Sequence, residues 1–329
     1  MVKFSIILRA YNVEHQLKRS VESILQQDYS NWELIIVNDG SSDGTGSLCN
    51  QYAKQEERVR VLHQENGGCL RATQEGIKIS TGEYICVLDA DDWYEKNYLT
   101  TVAKILEKKE VDMIVVNYCV VNSAGNKKLF YQEKEIIEMD SSSAILMFLD
   151  TTNYALWNKV VRKEMICYTE SEKNFFWQFG KMTNFGEDLY QLMPVLCNCD
   201  KVCFTPECLY NYVLDETSIS HKEVKNYEQE LIKRNRLMEF TYNAIKSRNY
   251  MNDTIKKRLQ INTIIIMLPI IKKIIRRGML NRRTLTELNE SDYYNAVVKR
   301  TSITNIKGKV GTKNTMVFWL FNKLLCMLK

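Results

Sequence analysis

Short apolar runs alternate with segments of helical spacing over the first ninety residues. Lys3 to Leu8, Glu33 to Val37, Val59 to Leu62 and Tyr84 to Leu88 each read as strands buried in a sheet. Between them, Glu14 to Gln27 places Leu17, Val21, Ile24 and Leu25 on one helical face. Asp43 to Ala53 starts from a Ser-Ser-Asp cap, and Gly67 to Ile79 supplies a third helix. This alternation predicts a mostly parallel central sheet flanked by helices, with right-handed crossovers, an α/β architecture of Rossmann-like kind. Residues 97–221 continue as mixed α/β, with one strong strand from Asp112 to Val121. From 222 onward strand patterning stops, and long helical stretches follow, Lys225 to Arg248 and Thr254 to Arg277. The expected organisation is an α/β domain over 1–221 and a basic, mostly helical region over 222–329.

In a parallel sheet, ligands bind beyond the carboxyl ends of the strands. Three loops fall there. Arg9-Ala10-Tyr11-Asn12 follows the first strand, Asn38 to Thr45 the second, and Asp89-Ala90-Asp91-Asp92-Trp93 the fourth. Tyr11 by stacking and Asp39 by accepting an imide N–H can hold a base, although a glycine turn feeding a helix cap also explains Asn38 to Thr45. Asn66-Gly67-Gly68 opens the third helix, either as a phosphate-facing N-terminus or as a simple cap, and Arg71 lies one turn on. The acidic triplet is the most pointed of these features. Carboxylates packed at a strand end repel one another unless a cation neutralises them. A hard divalent metal shared with a nucleotide diphosphate would do so; a solvated acidic turn before a helix is the plain alternative.

Taken in order, these stretches resemble the family 2 glycosyltransferases, inverting enzymes of GT-A fold that use nucleotide sugars. The resemblance rests on Ser5 to Asn12, Ile35 to Thr45, Asn66 to Gly68 and Val87 to Trp93. It extends to Ala155-Leu156-Trp157-Asn158-Lys159, to Phe185-Gly186-Glu187-Asp188, and to Tyr210 through Ser220. It implies a UDP-sugar donor lined by Ala10, Tyr11, Asn12, Asp39, Gly40, Asn66, Gly67, Arg71, Asp89, Ala90 and Asp92, with Asp92 toward the sugar. It also implies Mn2+ or Mg2+ on the D-x-D pair, Asp91 as direct ligand and Asp89 as its partner. Asp188 would be the catalytic base, positioned by Glu187. The expected reaction is transfer of one hexose or N-acetylhexosamine to a glycan acceptor, lipid-linked, in capsule, exopolysaccharide or lipopolysaccharide synthesis. A catalytically silent nucleotide- or glycan-binding partner on the same fold is the alternative. Two departures stand out. Arg9 replaces the usual proline, and Thr73 and Gln74 stand where the third helix often has arginine and asparagine. No Q-x-x-R-W sequence is present, which argues against a processive synthase.

Charge sharpens the division of the chain. The 329 residues carry a net +5, but residues 222–329 hold 23 Lys/Arg against 8 Asp/Glu, a net of +15 on a body of −10. In Thr263 to Arg277, Ile270, Ile271, Ile274 and Ile275 fall opposite Lys272, Lys273, Arg276 and Arg277, with Pro269 expected to kink or divide the helix. Val317 to Leu328 adds Phe318, Trp319 and Phe321. These features suit an anionic membrane surface, or else apolar faces packed on the protein or a second subunit of a homodimer. Nucleic acid is not an expected partner. The strand-like start and the lack of a long apolar run point to a cytoplasmic protein, peripheral at the inner face of the membrane. The ten cysteines read as reduced thiols, and Cys197, Cys199, Cys203 and Cys208 lack paired zinc-knuckle spacing.

Overall fold

A computed structural model describes residues 1–151, 153–179, 186–214, 224, 226–277, 282–298 and 311–326. The chain divides into two compact units, residues 1–144 with 155–221, and residues 145–154 with 222–329.

The first unit follows the apolar pattern closely. Strands β1 (Phe4–Ala10), β2 (Trp32–Asp39), β3 (Val59–Gln64) and β4 (Tyr84–Asp89) pair in parallel in the order β3-β2-β1-β4. Helices α1 (Leu17–Leu25), α2 (Thr45–Gln55) and α3 (Gly68–Ile79) make the crossovers. Leu17, Val21 and Ile24 of α1 are fully buried against this sheet, each contributing about 1.5–3 kcal/mol of apolar burial. A short β5 (Trp93–Tyr94) and α4 (Tyr98–Lys108) follow, then β6 (Met113–Val121), β7 (Lys127–Leu129) and β8 (Ile137–Asp140).

After α5 (Ser141–Thr151), β9 (Lys159–Arg162) inserts antiparallel between β4 and β6, joining the two halves of the sheet. Next come α6 (Glu170–Phe179), α7 (Glu187–Leu196) and β10 (Lys201–Val213). The last is one long strand parallel to β6, with register shifts between Thr205 and Tyr210 on either side of Cys208. Cys208 and Cys119 form a disulfide across this pair of strands, with Cα atoms 6.0 Å apart. The expectation of reduced thiols is corrected for this pair. Cys197, Cys199 and Cys203 are buried and take no part in a disulfide.

The second unit contains α8 (Tyr227–Ser247), α9 (Asp253–Arg277), α10 (Arg282–Glu290), a π-helical turn (Tyr294–Val298) and α11 (Thr312–Cys326). Asn226 caps α8 by accepting from the Glu228 and Gln229 N–H groups at 3.1 and 3.0 Å. Helix α9 is unbroken through Pro269, contrary to the division expected there. Arg234 of α8 donates to the Ile266 carbonyl at 2.7 Å, beside the turn where proline removes a backbone donor. Ile270, Ile271 and Ile274 are buried, as are Phe318 and Phe321 of α11, so for these residues the packing alternative holds. Ile275, Met316, Trp319 and Leu320 stay exposed, Met316 to 62%. Among the described residues, no helix is long and apolar enough to cross a membrane.

Candidate functional site

The register of the parallel strands gathers the three loops at one edge. Ala10 pairs with Asn38, and Arg9 with Asp89, so the chain leaves β1, β2 and β4 at the same level. The first two loops are then stitched together. The Asn12 amide oxygen accepts from the Ser42 N–H at 2.8 Å, its own N–H donates to Ser41 Oγ, and Thr45 Oγ1 accepts from the Val13 N–H. Asn12 achieves this at φ +52, a left-handed conformation that asparagine tolerates. Tyr11 projects from this knot, 47% exposed, where a base could stack.

Asp39 is buried, and its carboxylate accepts from Gln64 Nε2 at 2.6 Å and from the Gly67 and Gly68 N–H groups at 2.8 Å each. These two N–H groups at the start of α3 thus serve Asp39, tying the loop after β2 to that helix. Gly40 sits at φ +71 with its α-carbon so close to Asn66 that a Cβ would lie 2.6 Å from the Asn66 nitrogen. Only glycine satisfies both conditions. The stem of Arg71 lies back against Gly67.

The acidic turn is held from beneath by α1. Ser20 Oγ donates to the carbonyls of Ala90 and Asp92 at 2.7 and 2.6 Å, and Arg19 donates to the Asp91 carbonyl. The three carboxylates then have different fates. Asp92 is 1% exposed and accepts from the Tyr210 hydroxyl at 2.6 Å and the Val213 N–H at 2.8 Å. Burial, with Asp91 and Asp89 nearby, pushes its carboxyl well above the usual range. The expectation that Asp92 faces the sugar is corrected. It points into the sheet because β10 runs beside β5 and supplies donors there. Asp89 accepts on Oδ1 from both Nε (3.0 Å) and Nη2 of Arg9. Asp91 has a half-buried side chain. Ala10 and Ala90 are buried, so only their backbone could line a ligand.

Gly186, left-handed at φ +77, starts α7 and places Glu187 and Asp188 in its first turn. Cys69 of α3 hydrogen-bonds Glu187 Oε2, tying α3 to α7. Burial raises Glu187, opposed by that bond and by Arg9. Burial pushes Asp188 up to about 6; Asp89 adds to the rise, while Arg9 and Lys159 oppose it. Lys159 is 1% exposed, donates to the Ala155 carbonyl and to Asn158 Oδ1, and is brought down by burial to about 7. Trp157 in the same stretch is a core residue, stacked on Tyr210 and Tyr212. Arg9 stands out in the sequence only as a departure from the family's proline, and no pattern there marks a role for Lys159, Cys69 or Tyr210. A buried cation opposite a strand-end aspartate in register was the one available signal. Phe185 and 215–220 lie outside the described residues.

The donor chemistry fits a magnesium- or manganese-type ion only together with a ligand. Among the described residues, no three Asp, Glu, His or Cys side chains converge as a cation cage. Such ions are commonly held by one or two carboxylates plus substrate phosphates, and Asp91 with the second oxygen of Asp89 could supply that number.

Comparison with known proteins agrees with this architecture. The chain is 39% identical over 128 residues to glycosyltransferase GlyG of Streptococcus pneumoniae, covering 39% of this chain and 42% of that protein. It is 28% identical over 239 residues to GlyA of the same organism, covering 70% of this chain and 33% of GlyA, so it spans a third to under half of these two relatives. It is 38% identical over 222 residues to the uncharacterized glycosyltransferase EpsJ of Bacillus subtilis, covering 66% and 62% of the two chains. Among solved structures, S. aureus TarS 1-349 in complex with UDP superposes with a TM-score of 0.68 at 15% identity, over 99% of this chain and 90% of that one. That likeness shows a shared GT-A fold. Residues 5–170 match Glycosyl transferase family 2, and with half of its length inside that match the chain belongs to this family.

Proposed function

We propose that the chain is an inverting glycosyltransferase moving one hexose or N-acetylhexosamine from a UDP-sugar to a hydroxyl of a glycan acceptor carried on a lipid. The observation that carries this reading is Asp188, a carboxyl raised to about 6 in the first turn of α7 and electrostatically coupled to Arg9 and Asp89. Tyr11, exposed after β1, would stack on the base, and Asp39 at the neighbouring strand end would meet its polar edge. The TarS structures with UDP and with UDP-GlcNAc support a donor of this class.

The acceptor oxygen attacks the anomeric carbon, the bond from that carbon to the diphosphate oxygen breaks, and the acceptor proton passes to Asp188. A single displacement of this kind inverts the anomeric centre. Glu187, fixed by Cys69, sets the orientation of the turn that carries Asp188. Asp91, beside its D-x-D partner Asp89, would hold Mn2+ or Mg2+, which when bound would offset the charge of the departing diphosphate. The exposed Met316, Trp319 and Leu320, with Lys323 5.0 Å from the Trp319 ring, form a surface suited to a lipid interface.

The test is UDP release across a panel of UDP-sugars with and without Mn2+, followed by transfer to a lipid-diphosphate sugar. Asp91→Asn and Asp188→Asn are expected to lower transfer by about 10²–10⁴-fold with the fold intact by circular dichroism. Full activity in either variant sinks the assignment. UDP binding with no release or transfer from any donor favours the silent-partner alternative.

A further inference from the structure

Arg9 is largely withdrawn from solvent in the strand that forms the centre of the site, its side chain 10% exposed. A guanidinium there is tolerable only if carboxylates neutralise it. The register of β1 against β4 puts Asp89 directly beside it, and Nε and Nη2 converge on one oxygen, Oδ1. Burial opposes its charge, yet Asp89, Cys69 and Asp188 together keep Arg9 above its ordinary basicity. The same cation lowers Glu187 and Asp188 from across the site. One guanidinium thus faces acidic groups from β4 and from α7.

We propose that Arg9 is the built-in counter-cation of the donor site, holding Asp89 as an anchored residue and leaving Asp91 as the protein carboxylate that meets the metal. A divalent ion approaching Asp89 would meet a fixed like charge already bonded to that carboxylate, and like charges brought this close in a partly dry site oppose each other strongly. Arg9 is accordingly a positioning residue. It sets which aspartate is offered to the metal and keeps the acidic cluster neutralised when no nucleotide is bound. This rests on the proposed nucleotide-sugar reading of the same site.

The measurement is Mn2+ affinity in the presence of saturating UDP, read by electron paramagnetic resonance of free Mn2+. Removing the charge in Arg9→Met releases Asp89 to the metal and is expected to tighten Mn2+ binding by about tenfold, a gain that structural damage does not produce. Unchanged or weaker binding overturns the proposal. Adding Asp89→Asn to Arg9→Met removes both partners, and Mn2+ affinity is expected to return to within about threefold of the wild type. A loss beyond tenfold in the double variant overturns the proposal, because Asp89 would then be a metal ligand in the wild type. If Arg9→Met does not fold, the double variant decides alone. Failure of the wild type to bind UDP at all would instead overturn the nucleotide-sugar reading, and calorimetry with UDP alone distinguishes the two.

Discussion

Asp188, the proposed base, would serve the chemistry at the expense of stability. Its folded-state value of about 6 lies above the ordinary 3.8, so the folded protein takes this proton more readily than the unfolded chain. Stability from this group is therefore greatest below about pH 4 and declines as pH rises to about 6. Asparagine mimics the protonated form. Asp188→Asn is expected to be more stable than the wild type at pH 8, by roughly 1–3 kcal/mol, with little difference at pH 4. Denaturant melts at the two pH values check this; equal or lower stability at pH 8 contradicts it. The acidic limb of wild-type transfer should fall near pH 6, because a base must be unprotonated. Lys159, which carries its charge below about 7, favours the ionised form of Asp188 in that range. In Lys159→Met the limb should move to higher pH, with activity at pH 6 falling several-fold and activity at pH 8 little changed.

Among elements, the loop after β2 is the one on which the site most depends, because Asp39 and Gly40 join it to the start of α3. Gly40→Ala introduces both a strained φ and a Cβ against the Asn66 backbone, whereas Gly125→Ala, at φ +81 with open space around it, introduces the strain alone. Gly125→Ala is expected to cost about 1 kcal/mol and Gly40→Ala about 1–2 kcal/mol more, by thermal unfolding. Equal losses would mean that the close approach to Asn66 yields freely.

Strand and helix placement was legible in the sequence because buried parallel strands are continuous apolar runs and α1 and α3 keep their apolar stripes. Strand β9 was not, since four residues with a buried lysine carry no periodicity. At the site, residue types told which groups gather but not which way they turn. Asp92 faces inward because of Tyr210, which lies 118 residues away along the chain. Arg9 acquires its role only once β4 lies beside β1.

At the scale of the molecule, the uneven charge makes a prediction independent of the chemistry. The net +15 over 222–329 should draw the protein to anionic vesicles, each nearby Lys or Arg contributing about 1 kcal/mol at low salt. Co-sedimentation with phosphatidylserine vesicles is expected to weaken at high salt and again in Trp319→Ser/Leu320→Ser. Binding indifferent to both would remove the membrane from the proposed function.

The short strand β9 has a further consequence for how the protein is made. Strands β3-β2-β1-β4 can assemble as soon as the first ninety residues are available, but β4 then ends that sheet, with its outer backbone groups unpaired. Its partner on that side arrives only with Lys159–Arg162, and β10, which pairs with β6 beyond, later still. Such long-range pairings form slowly and leave partly built sheets open to association. The strand bearing Asp89 is thus an edge until Lys159–Arg162 follows, and a nascent chain halted before residue 159 presents it to any neighbour able to add a strand.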